Sequence, residues 1–584
     1  MKGQVKIPVK KQTDYYKIKE EGVLKHFIFQ GVRDIMPILL STMKKDKNPI
    51  IVYYDPDIDG VVAGTIARRF VEFFMEHSSE PYINPNRGHG FLRDYDSVKG
   101  RSIIGVDFGI TSKEMKELTK RGCTILIMDH HDCEDEVILY DNGVKLDYNE
   151  YRQDKEKLRT LLNKQGVGIL INNQYKRVPE DLSQPRTAGE NVHSRYLSGA
   201  GVTFECLLAF VQKFMPKRLA EWDTKEQRGM VAWTLLSDMR DIESQNARLY
   251  LQDLFTYKVT DKQALTHPNV DVLGMLKETR LTLRQRSLFE KDKFGAVKLD
   301  RNNIDFHISP LFNANFRFDN GEAVMQYLWG SPEYLDLTAH DNQKMLKKTI
   351  DKVVGDTSSG KFYGEDDDLY VFGVDRNNPL LLSTGAEISN FIGLVCNSKK
   401  ENCNVIGYVT DGMDLTRASF RGNINVRYKD ALNRSGCLQG AGHEGAFGIM
   451  SMELSDSNFE EIAKICHQLE IGKTKNEHPI IEVKDLRKFC EGNSLYPSDK
   501  DISEAYKVAY DNMYHADAKR VCLKYTGDAN KVEENWNLTH TMCKYKVNDR
   551  LVIGYDKKIN PMNGLIYPIL EDGMIVFRLI AYPE

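Results

Sequence analysis

Three aspartates at alternate positions, Asp55, Asp57 and Asp59, close an apolar run from Ile50 to Tyr54 and are followed at once by Gly60, in the stretch IIVYYDPDIDGVVAG. The β-branched and aromatic run predicts a buried strand. Val61 to Glu76 behind it has the apolar spacing of an amphipathic helix, so the acids fill the turn between the two elements. Carboxylates this close repel one another and resist burial unless a cation neutralises them, which makes a divalent metal their natural occupant. A solvated Asp-rich turn and an EF-hand loop are the competing readings of D-x-D-x-D-G. An EF-hand needs a helix in front and a Glu at the twelfth loop position; here a strand comes first, and Ile66 stands at that position.

The same context returns twice. Ser102 to Gly109, SIIGVDFG, is an apolar strand ending on Asp107, and Thr124 to Cys133, TILIMDHHDC, is another ending on Asp129, His130 and His131. A helix over Ser112 to Arg121 separates them, giving a βαβ series and therefore a parallel, doubly wound sheet of the α/β class. In such sheets ligands sit beyond the carboxyl ends of the strands, where these side chains would converge. Gly168 to Gln174 reads as a further strand. Leu197 to Phe204, LSGAGVTF, reads as a Gly-rich helix start that runs on through Met215, and Val231 to Asp238, VAWTLLSD, ends an apolar segment on a lone acid.

At 584 residues the chain is too long for one core, so two to four domains are expected. The formal net charge of -4 carries no global basic signature, and any nucleic-acid contact must come from a local patch. None of the ten Cys forms a C-x-x-C pair, which argues against zinc and against a disulfide framework. A hard carboxylate site has no need of Cys133, two places after His131. The N-terminal MKGQVKIPVKKQTDYYK has no apolar h-region, and no apolar run reaches membrane length, so a cytoplasmic protein without membrane association is expected, while abundant Lys, Asn, Ile and Tyr point to an AT-rich genome, bacterial or phage.

Asp57 with Asp59, then Asp107, then Asp129-His130-His131, and finally Asp238, resemble the four motifs of the DHH phosphoesterase superfamily. Ile242 to Gln252, IESQNARLYLQ, is similar to the Asn-Arg stretch of RecJ-type single-strand exonucleases. The resemblance implies an N-terminal helical segment (1–45), a doubly wound parallel-sheet DHH catalytic domain (46–255) and a helical connector (256–365) containing a long helix over Leu337 to Val354. It further implies a smaller α/β DHH-associated substrate-binding domain (366–475) and a C-terminal α+β accessory domain (476–584) that can be an OB-type barrel.

The resemblance also implies two Mn²⁺ or Mg²⁺ ions, which the oxygen-rich ligand set suits better than zinc. Asp57 and Asp59 would each contact one ion, Asp107 would bridge both, and Asp238 and His130 would complete the shells. His131 would meet the substrate phosphate, with Asp129 orienting the His pair. Where some DHH enzymes carry a His this chain has Tyr53, and Asp55 can supply the missing ligand. Substrate contacts are implied for Arg317, in a stretch similar to a RecJ motif with Asn313 and Ala314 but with Phe316 in place of the usual Gly. They are implied too for Arg421, Gly442 and His443, in a Gly-rich loop where Ala441 replaces the family's first Gly. Arg87, His89 and Arg93 lie in a loop suited to phosphate, and Tyr525, Trp536, Tyr545 and Tyr555 would serve either as base-stacking platforms or as core.

The function implied is a RecJ-like exonuclease acting 5′ to 3′ on single-stranded DNA in repair, recombination or replication, with single-strand-binding or replication proteins as partners. Two rivals stand beside it. One is a DHH phosphodiesterase of short oligonucleotides or cyclic dinucleotides; the other, a catalytically silent replication scaffold, is disfavoured because no core acid is missing.

Overall fold

The computed structural model describes residues 32, 35–84, 90–131, 133, 135–173, 197–238, 245–258, 271–278, 297–399, 403–412, 414–423, 426–443 and 445–470. It also describes 480–484, 489, 508–509, 512, 521–526, 532–536, 543–547, 550–554, 564–571 and 574–581.

The first sheet contains β1 (Ile50–Tyr54), β2 (Ser79–Ile83), β3 (Ser102–Val106), β4 (Thr124–Asp129), β5 (Val137–Asp141), β6 (Val144–Leu146) and β7 (Val167–Asn172), in the order β2-β1-β3-β4-β7-β5-β6. The five strands from β2 to β7 in that order pair in parallel, and β5 and β6 add an antiparallel edge. Strands β1, β3, β4 and β7 are buried along their whole length, because side chains on both faces meet protein. On one face Val52, Tyr54, Ile104 and Leu126 join a core with the helices α2 (Ile58–Arg69), α4 (Gly199–Phe214) and α5 (Lys225–Ser237); α1 (Met36–Met43) contributes to the same core. On the other, Ile51, Tyr53, Ile103 and Ile125 pack with Met115 and Leu118 of α3 (Ser112–Lys120).

This order makes β1 and β3 neighbours while the chain leaves β1 towards β2 on the opposite side. The connections therefore diverge between β1 and β3, which opens a crevice at their carboxyl ends. Asp55 and Asp107 are the next residues after those two strands.

Three local features differ from the sequence reading. Helix α2 begins at Ile58, not Val61, because the Asp57 carboxylate accepts the Gly60 N–H at 2.9 Å and caps it. Asp59 thus lies in the first helical turn, and the helix gives way to a π-turn over Phe70–Phe74. Strand β2 and the β5–β6 hairpin were not expected. In β2, Pro81 is tolerated because the strand is at the edge of the sheet. Of the N-terminal segment expected to be helical (1–45), the structure describes residue 32 and residues from 35 onward, and α1 lies there.

Beyond α5 come α6 (Gln245–Phe255), α7 (Ser309–Arg317), α8 (Gly321–Leu328) and the long α9 (Ala339–Asp356). A second sheet follows, β12-β13-β11-β10-β9-β8, in which β9 (Leu369–Asp375) and β10 (Asn404–Asp411) pair in parallel and the other pairings are antiparallel. Its remaining strands are β8 (Lys361–Tyr363), β11 (Asp414–Arg421), β12 (Leu438–His443) and β13 (Ala446–Met452), with the helix α10 (Ile392–Lys399) between β9 and β10. Among the described residues the C-terminal strands form a third sheet of seven, including Arg550–Gly554 and Met574–Ala581. Tyr525 is buried there among apolar side chains and packs as core; the side chains of Trp536 and Tyr545, and all of Tyr555, lie outside the described residues. Among the described residues no helix is long and apolar enough to cross a membrane.

Candidate metal centre

Strand ends and one helix end bring the acids and imidazoles of the sequence reading into one buried cluster. His130, just past β4, directs Nε2 to 2.9 Å from Asp107 Oδ1 and 3.7 Å from Asp59 Oδ2, while its Nδ1 lies 3.8 Å from Asp238 Oδ2. Asp238 is the residue at the carboxyl end of α5. Two ligand-type sets, Asp107-His130-His131 and Asp59-His130-Asp238, each hold their donor atoms within 4.8 Å of one another.

Each member is fixed by a local contact. Both oxygens of Asp59 accept backbone N–H groups from the start of α4, Gly199 at 2.6 Å and Ala200 at 2.9 Å. Asp107 sits at a φ of +51°, in the left-handed region that costs a non-glycine residue roughly 1–2 kcal/mol. Asp129 receives the His130 N–H at 2.7 Å and the Gly109 N–H at 3.2 Å, and its Oδ1 is 2.8 Å from His131 Nδ1.

The electrostatics follow from crowding. Burial first, then Asp238 and Asp57, push the Asp59 carboxyl up to about 7, against the two α4 N–H groups that lower it. Burial and the nearby Asp59, Asp57, Asp129 and Asp55 drive Asp107 well above the usual carboxylate range. Burial disfavours charge on His131 as well, but the adjoining Asp129 carboxylate outweighs it and holds the imidazolium up to about 9. Burial likewise opposes charge on Asp129, yet His131 keeps its carboxyl well below the ordinary value. Asp107 Oδ1 is buried and, among the described residues, accepts no well-aligned hydrogen bond. Mutually repelling carboxylates with an imidazole among them are what a divalent cation would satisfy, so the residues present fit such an ion.

Asp55 and Asp57 lie close enough to raise Asp107, and Asp57 also caps α2. The implied substrate residues lie on other elements. Arg317 ends α7 and donates to Gln343 Oε1 on α9 at 2.9 Å, and its carbonyl accepts from Asn390. Arg421 ends β11, with Nη1 donating to Ser419 Oγ and to the Phe420 carbonyl, both at 2.7 Å. Gly442 has a φ of +123°, and a Cβ there would come 3.2 Å from Phe447 Cα, so this turn of β12 requires glycine. The His443 side chain, and Arg87 and His89, lie outside the described residues. Arg93 pairs with Glu80 at 2.7 Å.

Sequence reasoning missed three participants. Gly199 packs so closely on the acid that a Cβ would lie 2.3 Å from Asp107 Cβ, whereas the sequence placed it only in a Gly-rich helix start. Asn84, just after β2, donates from Nδ2 to Asp55 Oδ1 at 3.1 Å. Tyr53 turns away from the acids into the opposite core, stacking 4.9 Å from Phe91 and 5.0 Å from Tyr82. Only a side chain's partners across strands could have revealed these roles, and no local pattern encodes them.

The molecule is thus an open α/β protein with buried metal-type ligands gathered at its topological switch point. Residues 49–221 match the DHH family, N-terminal domain, and the fold is RecJ-like. It is 23% identical over 287 residues to YorK of Bacillus subtilis strain 168, provisionally named an SPbeta prophage-derived single-strand DNA-specific exonuclease, and equally to the protein of that name from Bacillus phage SPbeta. Those matches cover 48% of this chain and span only 38% of the relatives' own length. The Mn²⁺ complex of RecJ from Thermus thermophilus superposes with a TM-score of 0.56 at 14% identity, covering 97% of this chain and 74% of that one. Its Mg²⁺ complex gives 0.51 at 13% identity, covering 97% and 73%. At such identities these likenesses speak for the fold.

Proposed function

We propose that the protein is a metal-dependent phosphodiesterase of the RecJ type that removes nucleotides from single-stranded DNA in the 5′ to 3′ direction. The observation that carries the reading is the convergence of Asp59, Asp107, His130, His131 and Asp238, from four separate chain segments, on one point at the β1–β3 crevice, the first three buried and His131 and Asp238 half-buried. Single-strand DNA as substrate is supported by the name of the Bacillus relatives.

In this reading Asp57, Asp59, Asp107, His130 and Asp238, with Asp55 beside them, hold two Mn²⁺ or Mg²⁺ ions. Such a pair supplies Lewis acidity, activating water at neutral pH and offsetting charge on the phosphate. The protein's own part is to keep the ligands fixed and dry. The α4 N–H groups hold Asp59, Asp129 locks the His131 ring, and Gly199 lets the α4 terminus seat directly on Asp107. His131, kept protonated by Asp129, offers positive charge to the substrate phosphate. Arg317, Arg421, Gly442 and His443 contact the strand further along. Bacterial cytoplasm is the expected setting, with single-strand-binding or replication proteins as partners.

The test is digestion of 5′- and 3′-labelled single-stranded DNA and RNA with Mn²⁺. Immediate release of the 5′ label as mononucleotide, with progressive shortening of the 3′-labelled strand, is expected for DNA. Absence of metal-dependent cleavage, or cleavage confined to oligomers of a few nucleotides, would contradict the proposal.

A further inference from the structure

Asp55 is gripped by a chain of buried polar groups that begins in the aromatic core. The Tyr53 hydroxyl accepts the Leu92 N–H at 2.8 Å, so its own proton goes to Asn84 Oδ1. This fixes the amide of Asn84 in one orientation, with Nδ2 facing outward to donate to Gly90 O at 2.9 Å and to Asp55 Oδ1 at 3.1 Å. Tyr53 is fully buried and Asn84 is 2% exposed, so water does not compete for these bonds. The sheet supplies the alignment: Tyr53 pairs with Tyr82 and Tyr54 with Ile83, which puts Asp55 level with Asn84 at the ends of two parallel strands.

We propose that Asn84 is a positioning residue for Asp55, oriented by Tyr53, and that this relay sets how the Asp55 carboxylate is presented to a divalent cation. The inference rests on the metal-binding reading above. A donor on one carboxylate oxygen confines the group's rotation, which is how outer partners commonly tune a ligand. Tyr53 thus acts at a distance: its ring belongs to the opposite core and only its hydroxyl reaches the site, through Asn84.

The experiment is Mn²⁺ titration of the full chain, followed by the electron paramagnetic resonance signal of free Mn²⁺, for wild type, Asn84→Ala, Tyr53→Phe, Asp55→Asn, the Asp55→Asn/Asn84→Ala double variant and Asp107→Asn. Asn84→Ala should weaken Mn²⁺ binding by about 10–100-fold, and Tyr53→Phe should weaken it less but in the same sense. In the Asp55→Asn background Asn84→Ala should have no further effect, whereas a merely structural loss would appear in both backgrounds. Equal losses in both backgrounds, or wild-type affinity in Asn84→Ala, would overturn the proposal. If Asn84→Ala does not fold, wild-type affinity in Tyr53→Phe overturns it instead. Failure of the underlying reading is distinguishable, because Asp107→Asn would then bind Mn²⁺ as wild type does.

Discussion

Asp59 accepts the Gly199 backbone N–H at 2.6 Å, so an acid from the first turn of α2 caps a helix that begins 140 residues later. The contact ties the amino terminus of α4 to the acid cluster and requires a residue without a Cβ, since one would stand 2.3 Å from Asp107 Cβ. Gly199→Ala should therefore cost about 1–3 kcal/mol in stability and displace Asp107. Thermal unfolding and Mn²⁺-dependent nuclease assays would check this; a variant with wild-type activity would mean that the helix terminus has no part in shaping the site.

Asp107 combines a left-handed backbone with a carboxyl surrounded by like charge. Asn tolerates that backbone and removes the repulsion. Asp107→Asn, measured without metal, should then be more stable than wild type by about 0.5–2 kcal/mol while losing metal-dependent hydrolysis. Added Mn²⁺ should raise the melting temperature of wild type much more than that of the variant. Denaturation with and without Mn²⁺ separates these effects, and a destabilised variant would refute the account of crowding.

The Asp129 carboxylate holds His131 protonated up to about 9. With Asp129→Asn the imidazole should titrate much lower, towards its ordinary value near about 6.5. Nuclear magnetic resonance titration of the His131 ring in metal-free protein measures this directly. An unchanged midpoint would show that other groups charge the ring.

Glu205 is buried in α4, with the Tyr250 hydroxyl donating to it, and burial together with Asp223 pushes its carboxyl up to about 8. A folded-state value above the unfolded one means that the native protein holds a proton the unfolded chain has lost. Its contribution to stability is complete below the unfolded value and disappears as pH rises through the folded one. Stability should fall by up to about 1.4 kcal/mol per pH unit across that interval from this group alone. Glu205→Gln should flatten the dependence and be more stable than wild type above pH 8. Urea denaturation at pH 6 and pH 9 tests it, and parallel pH profiles for the two proteins would exclude the mechanism.

Strands β1, β3, β4 and β7 were legible because both their faces are covered, which leaves uninterrupted apolar runs that end abruptly on acids and imidazoles. From those ends the parallel sheet and its crevice followed. The start of α2 was misplaced because Asp57 was read as a loop acid, whereas it is a helix cap whose partner, Gly60, is visible only in three dimensions. Strand β2 was hidden by its edge position: half-exposed, with Pro81 in its middle, it carries none of the apolar continuity of its neighbours. Asn84 was invisible for a different reason. Its role depends on Tyr53, Gly90 and Asp55 at once, and those bonds cross between strands. For Tyr525, where the sequence left base stacking and core packing both open, the structure shows core.

The central claim is that Asp59, Asp107, His130 and Asp238 together hold divalent metal. The most direct measurement is anomalous diffraction from crystals grown with Mn²⁺. The account requires anomalous peaks at direct coordination distance from Asp107 and His130, shared with Asp59 and Asp238 and abolished in Asp107→Asn crystals. Ordered Mn²⁺ found only elsewhere on the molecule, with these four side chains uncoordinated, would contradict it.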